Sequence, residues 1–112
     1  MSRRAVATLA SLGESRLIDA IQDWLGAANP PPPHGIGDDC AVLPRRRARQ
    51  LVTVDPVIAG RHFDASIPPA AVAAKLLKRN LSDIAAMGGF PHSAVIALPA
   101  PPENTVAWLR GF

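Results

Sequence analysis

The sequence predicts an α+β domain in which a mixed or antiparallel sheet packs against two main helices. Three observations carry this reading. Two long stretches place apolar residues at helical spacing. Short apolar, β-branched runs begin at about Cys40, Leu51 and Ser93. Gly- and Pro-rich punctuation separates these segments. A chain of 112 residues fits one domain, 1–112, with a modest core. Its 48% apolar and 19% charged residues argue against disorder throughout, while 12 prolines imply rigid connections.

The first helix is expected over Ser11 to Gly26, where Leu17, Ile18, Ile21, Trp24 and Leu25 recur on one side. Ser11 with Glu14 forms a candidate capping box, and Gly26 supplies the stop. Pro30 to Pro33 follow and predict an extended, polyproline-like connection over Asn29 to His34. Cys40 to Leu43 and Leu51 to Asp55 read as two strands joined by a loop, with Pro56 limiting the second. Val57 to Ile67 reads as loop. Pro68 and Pro69 suit the first turn of a helix running from Pro69 to Met87 and stopping at Gly88 and Gly89. Ser93 to Leu98 reads as a buried strand ended by Pro99 to Pro102. Glu103 to Phe112 begins an amphipathic helix, so the chain reads as cut short there.

Charge and composition exclude several function classes. The net charge of +3 and the pI near 10.0 owe much to Arg45, Arg46, Arg47 and Arg49, which lie between two apolar runs. A solvated loop explains them better than a phosphate patch, because aromatic residues that would stack on bases are scarce; no nucleic-acid partner is expected. Apolar stretches are broken well short of a spanning length, so no membrane partner is expected either. Met1 to Gly13, with Arg3 and Arg4, lacks the continuous apolar core of a secretory signal and reads as a frayed cytoplasmic start. The single Cys40 cannot form an internal disulfide, has no zinc-like spacing, and is expected to be a small core residue. No phosphate loop of the Gly-x-x-x-x-Gly-Lys-Ser/Thr type is present, and no serine or cysteine has the setting of a nucleophile.

The aspartates stand out. On the helix from Pro69, Val72, Leu76, Leu77, Leu81, Ile84 and Met87 share one face, whereas Lys75, Lys78 and Ser82 lie on the other. Asn80 and Asp83 project from the apolar side. An ionised carboxylate there costs roughly several kcal/mol unless it is paired, which leaves two partners for Asp83: Arg79 one turn earlier, or a bound cation. Asp38 and Asp39 follow Gly35-Ile36-Gly37, and Asp55 ends a strand two residues after Thr53. Hard oxygen donors on short side chains suit magnesium, which takes one or two carboxylates and completes its shell with water and phosphate oxygens. Gly-x-Gly alone is a weak phosphate signal, His34 and His92 read as loop residues, and His62 is ambiguous from the residues alone.

Gly35-Ile36-Gly37-Asp38-Asp39-Cys40-Ala41-Val42-Leu43, Thr53-Val54-Asp55 with Ala59-Gly60-Arg61-His62-Phe63, and Asn80-Leu81-Ser82-Asp83-Ile84-Ala85-Ala86-Met87-Gly88 occur in an order that resembles the thiamine-monophosphate kinase family. The resemblance runs from about Ser11 to Phe112, and the two outer blocks together are its specific part. Either block alone would indicate only the wider superfamily of aminoimidazole ribonucleotide synthetase and selenophosphate synthetase. The resemblance implies the N-terminal domain of an aminoimidazole ribonucleotide synthetase-like fold. It also implies a homodimer formed through the sheet and ATP-dependent conversion of thiamine monophosphate to thiamine diphosphate with Mg2+. Family metal positions fall on Asp39, Thr53, Asp55 and Asp83, and a substrate-contacting position on His62. Asp38 is assigned near the nucleotide, and Asn80 is assigned to orienting the Asp83 region. The chain departs from the pattern at Val54 and Pro56, where hydroxyl-bearing residues are common, and at Lys78 and Arg79, where smaller or apolar residues are usual. The later Gly-Gly-Asp block and the C-terminal domain are not in this sequence. An alternative is therefore an inactive fragment serving as an oligomerising module, or another ATP-using member of the superfamily.

Overall fold

A computed structural model describes residues 6–112; the basic opening with Arg3 and Arg4 lies outside them. The chain divides into two compact units. One comprises the described part of Met1–Leu43 with Val95–Arg110, the other Pro44–Ala94 with Gly111–Phe112.

In the first unit, the expected helix over Ser11 to Gly26 is instead two. α1 spans Leu9–Leu12 and α2 spans Glu14–Leu25, with Gly13 at φ 81° between them. That left-handed value is one glycine tolerates and other residues rarely adopt, so the break falls where the sequence permits it. The capping box is therefore formed by Thr8 and Ser11 rather than by Ser11 and Glu14: the Ser11 amide donates to Thr8 Oγ1 at 3.2 Å and the Thr8 amide to Ser11 Oγ at 3.0 Å. Gly26 ends α2 as expected and leads into a short 3-10 turn, Gly26–Ala28.

Two amide donors at the start of α1 find partners in the later chain. Leu9 N–H donates to Asn104 O at 2.9 Å and Ala10 N–H to Pro102 O at 3.0 Å. Thr8 and Thr105 form an antiparallel bridge, and Val106 N–H donates to Ala7 O at 3.0 Å. Thr105 also starts α4, Val106–Gly111, by accepting from Trp108 N–H at 3.0 Å. Leu9 and Leu109 are the buried apolar residues of this unit.

The proline segment is a turn, not the fully extended connection expected: His34 N–H donates to Pro31 O at 3.0 Å. Its return is locked by two side chains. Asn29 Oδ1 accepts from Ile36 N–H at 3.0 Å, and Gln22 Nε2 donates to Ile36 O at 2.8 Å. A Cβ on Gly35 would lie 1.8 Å from Pro30 O, so this approach requires a residue without a side chain.

In the second unit, α3 covers Pro69–Ala86 with Pro69 at its first position, as the sequence predicts. Its end is closed by Gly88 N–H to Ala85 O and Gly89 N–H to Ile84 O, each 2.9 Å. Val72 is 1% exposed, but Leu77 and Met87 on the same predicted face are 55% and 71% exposed, so that face is only partly covered.

The sheet expectation is corrected. Among the described residues no strand ladder forms, and only the isolated bridges Thr8–Thr105 and Ala59–Phe63 are present. Cys40 to Leu43, Leu51 to Asp55 and Ser93 to Leu98 carry β-branched or apolar residues but no adjacent strand to pair with. A strand gains both its hydrogen bonds and its burial from a neighbour. Val52 and Val54 are accordingly each 90% exposed and Val95 78% exposed, and Cys40 is exposed rather than in a core. Arg45, Arg46, Arg47 and Arg49 are all exposed, in keeping with a solvated loop.

Candidate functional site

α3 and the extended segment Thr53–Pro56 build the site within the second unit. Asn80, midway along the helix, clamps the Asp55 main chain from both sides. Its Oδ1 accepts from Asp55 N–H at 3.0 Å, and its Nδ2 donates to Asp55 O and to Leu76 O, each at 3.0 Å. The segment thus satisfies part of its backbone on a side-chain carboxamide instead of on a strand. One turn further along the helix, Asp83 Oδ2 accepts from Thr53 Oγ1 at 2.8 Å.

Of the two partners left open for Asp83, Arg79 is not the one it uses. Arg79 turns to Asp55: its Nε lies 2.8 Å and its Nη2 2.6 Å from the same oxygen, Oδ2. These two side chains are 36% and 31% exposed, so water still screens the pair. An open groove of about 610 Å³ runs along this helix face, lined among others by Asp55, Lys75, Lys78, Arg79, Ser82 and Asp83. Three cationic residues and two carboxylates thus line the same groove.

The structure brings Thr53, Asp55, Asn80 and Asp83 together, four residues named from the sequence. Asp38 and Asp39 belong to the first unit, where Asp38 Oδ1 accepts from Asp39 N–H at 2.8 Å. His62 sits in the loop before α3: its Nδ1 accepts from Ile58 N–H at 2.9 Å, and its carbonyl accepts from Lys75 Nζ. Nδ1 is thus occupied as an acceptor, and Nε2 has no hydrogen-bond partner among the described residues. A second concavity of about 250 Å³ is lined by Gly60, Arg61, His62, Phe63 and Asp64. There Asp64 accepts from the Ser66 amide at 2.8 Å and from its hydroxyl. These bonds, the hydroxyl's first, hold the Asp64 carboxyl below the usual carboxylate range.

Lys75 and Ser82 read from the sequence as the helix's solvated side, and Lys78 as either a phosphate contact or, preferred, a solvated residue; all three line the groove. The signal was available in their spacing with Asp83 along α3. What the helical wheel lacked was where Thr53–Pro56 would lie.

No group of three or more His, Cys, Asp or Glu residues close enough to hold a metal is found among the described residues. The donors that do converge are two carboxylates and one hydroxyl. That set suits an ion which takes few protein ligands and keeps water and phosphate oxygens.

The segments that build this groove, Thr53–Pro56 and α3, both lie within the stretch matched by a defined family. The chain belongs to the family of AIR synthase related proteins, N-terminal domain, whose model matches residues 37–112. Within that class its relatives include the thiamine-monophosphate kinase of Synechococcus elongatus, 36% identical over 105 residues, which covers 92% of this chain and 30% of that protein. The thiamine-monophosphate kinase of Escherichia coli K12 is 46% identical over 79 residues, covering 70% of this chain and 24% of that protein. The Salmonella typhimurium enzyme of the same name is 41% identical over 101 residues, covering 89% and 31%. The chain thus spans about a quarter to a third of the length of these curated relatives. No solved structure gives a significant match. No helix among the described residues is long and apolar enough to cross a membrane.

Proposed function

We propose that this chain is the magnesium- and nucleotide-binding part of a cytoplasmic ATP-dependent kinase that converts thiamine monophosphate to thiamine diphosphate. The observation that carries the reading is the convergence of Thr53, Asp55, Asn80 and Asp83 beside a groove lined by Lys75 and Lys78. Phosphoryl transfer asks the protein for charge neutralisation and in-line positioning more than for a covalent nucleophile. The residues meet those needs separately. Asp55 and Asp83 are the carboxylates that would hold Mg2+, with the Thr53 hydroxyl as a neutral donor, and Asp39 is the further ligand proposed by resemblance. Bound there, the metal would neutralise phosphate charge and template the reacting oxygens. Asn80 holds the Asp55 backbone in place, Thr53 orients Asp83, and Lys75 and Lys78 offer positive charge to phosphate oxygens. Asp38 is assigned to the nucleotide and His62, through Nε2, to the substrate.

The α+β fold and the homodimer belong to the same proposal. Val52, Val54, Val95 and Ile96 are 90%, 90%, 78% and 62% exposed in extended segments, and pairing with a second copy would give them both ladder bonds and cover. The same exposure favours the second reading, in which this length of chain is an inactive oligomerising module.

Calorimetric titration of the 112-residue chain with a non-hydrolysable ATP analogue, with and without Mg2+, tests the first reading. Expected is Mg2+-dependent binding that weakens at least tenfold in Asp83→Asn; absence of any Mg2+-dependent nucleotide binding would remove the kinase assignment. A coupled assay of thiamine monophosphate turnover separates the two readings, since measurable turnover excludes the inert module.

A further inference from the structure

We infer that Arg79 is a built-in counter-ion of Asp55 that competes with a divalent cation for that carboxylate, and so sets how tightly this site holds metal. The inference rests on the magnesium reading above and adds to it a residue that weakens, rather than supplies, metal binding.

The geometry is specific. Arg79 Nε and Nη2 both reach Asp55 Oδ2, at 2.8 and 2.6 Å, instead of spreading as a fork over the two carboxylate oxygens. No hydrogen bond or ion pair reaches Asp55 Oδ1 among the described residues. A magnesium ion on Oδ2 would sit about 2.1 Å from that oxygen, the normal Mg–O distance. It would then share one small oxygen with two guanidinium nitrogens, placing like charges within a few ångströms. Binding at Oδ2 therefore requires Arg79 to swing away, and binding at Oδ1 leaves Arg79 in place as a repelling neighbour. Among the described residues no cationic side chain forms an ion pair with Asp83: its hydrogen-bond partner, Thr53 Oγ1, is neutral and can itself ligate. The two carboxylates are thus unequal, with Asp83 ready for a cation and Asp55 already satisfied by one.

Arg79 lines the same groove as Lys75 and Lys78, so a guanidinium released from Asp55 would remain beside it. Its charge then becomes available to an anionic ligand that arrives with the metal. Free metal and metal–nucleotide are distinguished accordingly. Arg79 opposes the first outright, whereas for the second its cost at Asp55 is offset by contact with phosphate.

Three forms of the 112-residue chain test this: wild type, Arg79→Gln and Arg79→Lys. Free Mn2+ is counted by electron paramagnetic resonance during titration with MnCl2 alone, without nucleotide, and thermal midpoints are recorded with and without the ion. Arg79→Gln is expected to bind Mn2+ about threefold to tenfold more tightly, the range set by losing a partly exposed ion pair and a repelling charge. Its midpoint should rise more on adding Mn2+ than that of wild type. Arg79→Lys, which keeps the charge, should stay within about twofold of wild type. A purely structural role for Arg79 would lower the metal-free midpoint in both variants and leave Mn2+ affinity unmoved. Unchanged or weaker Mn2+ binding by Arg79→Gln, with wild type still binding metal, overturns the competition and leaves the kinase reading standing. Absence of saturable Mn2+ binding in all three forms also overturns the competition, and the kinase reading is then decided by the Mg2+-dependent nucleotide titration above.

Discussion

Removing the carboxamide of Asn80 should release the segment that carries Asp55 from α3. Three hydrogen bonds of 3.0 Å converge on this side chain, but the one to Leu76 O lies within the helix, so only the two to the Asp55 N–H and C=O tether the segment. At a net of about 1 kcal/mol each for bonds in a partly buried setting, Asn80→Ala costs the tether about 2 kcal/mol, or about thirtyfold in the local opening equilibrium. Hydrogen exchange of the Asp55 amide, followed by NMR, reads this directly, because that N–H donates to Asn80 Oδ1. Its protection should fall about thirtyfold, while the Leu17 amide, bonded to Gly13 O at the start of α2 in the other unit, should not change. Asn80→Asp keeps an acceptor for the Asp55 amide but removes both donors and turns an anionic oxygen toward two carbonyls. It should therefore loosen the segment at least as much as alanine does. Protection of Asp55 that survives Asn80→Ala within about threefold would show that the tether lies elsewhere and refute the clamp.

Further outcomes follow from single contacts. Gly35→Ala would place a Cβ 1.8 Å from Pro30 O and 2.8 Å from Asn29 Oδ1, so the proline turn must open. A loss of about 1–3 kcal/mol is expected, seen as a lower urea midpoint by Trp fluorescence, and an unchanged midpoint would contradict the close approach. Asp64, with its carboxyl held below the usual range by the Ser66 hydroxyl and amide, should stabilise its turn at every pH above the ordinary aspartate range. That contribution should be lost as pH falls through the lowered folded value. An NMR titration followed at the Ser66 amide should therefore give a lower midpoint in the chain than in the isolated 64–66 peptide, and coincident midpoints would count against it.

How much was readable in advance differs between the two kinds of element. The long helix over Pro69–Ala86 and the stop of α2 at Gly26 follow from local chemistry, a proline fit for the first turn and a glycine fit for the end, and both occur where expected. The break at Gly13 is also legible as a glycine free to take φ 81°, but the Ser11–Glu14 capping pattern spans that position and places the helix start ahead of it. The runs at Cys40, Leu51 and Ser93 have strand composition. Composition does not supply a neighbour, and without one they form no ladder and stay largely exposed.

The sequence alone singled out the candidate site residues. Thr53, Asp55, Asn80 and Asp83 are named by residue type and order, and the family follows from the same blocks. Tertiary structure alone decided how they are paired. Helical spacing places Arg79 and Asp83 one turn apart and so offers a salt bridge between them. The folded chain instead brings Asp55 against Arg79 and Thr53 against Asp83, partners 24 and 30 residues apart in sequence. Local spacing limits which contacts a helix can make with itself. It says nothing about a second segment that can offer a better-placed carboxylate to the same guanidinium, and contacts of that kind exist only after the chain has closed on itself.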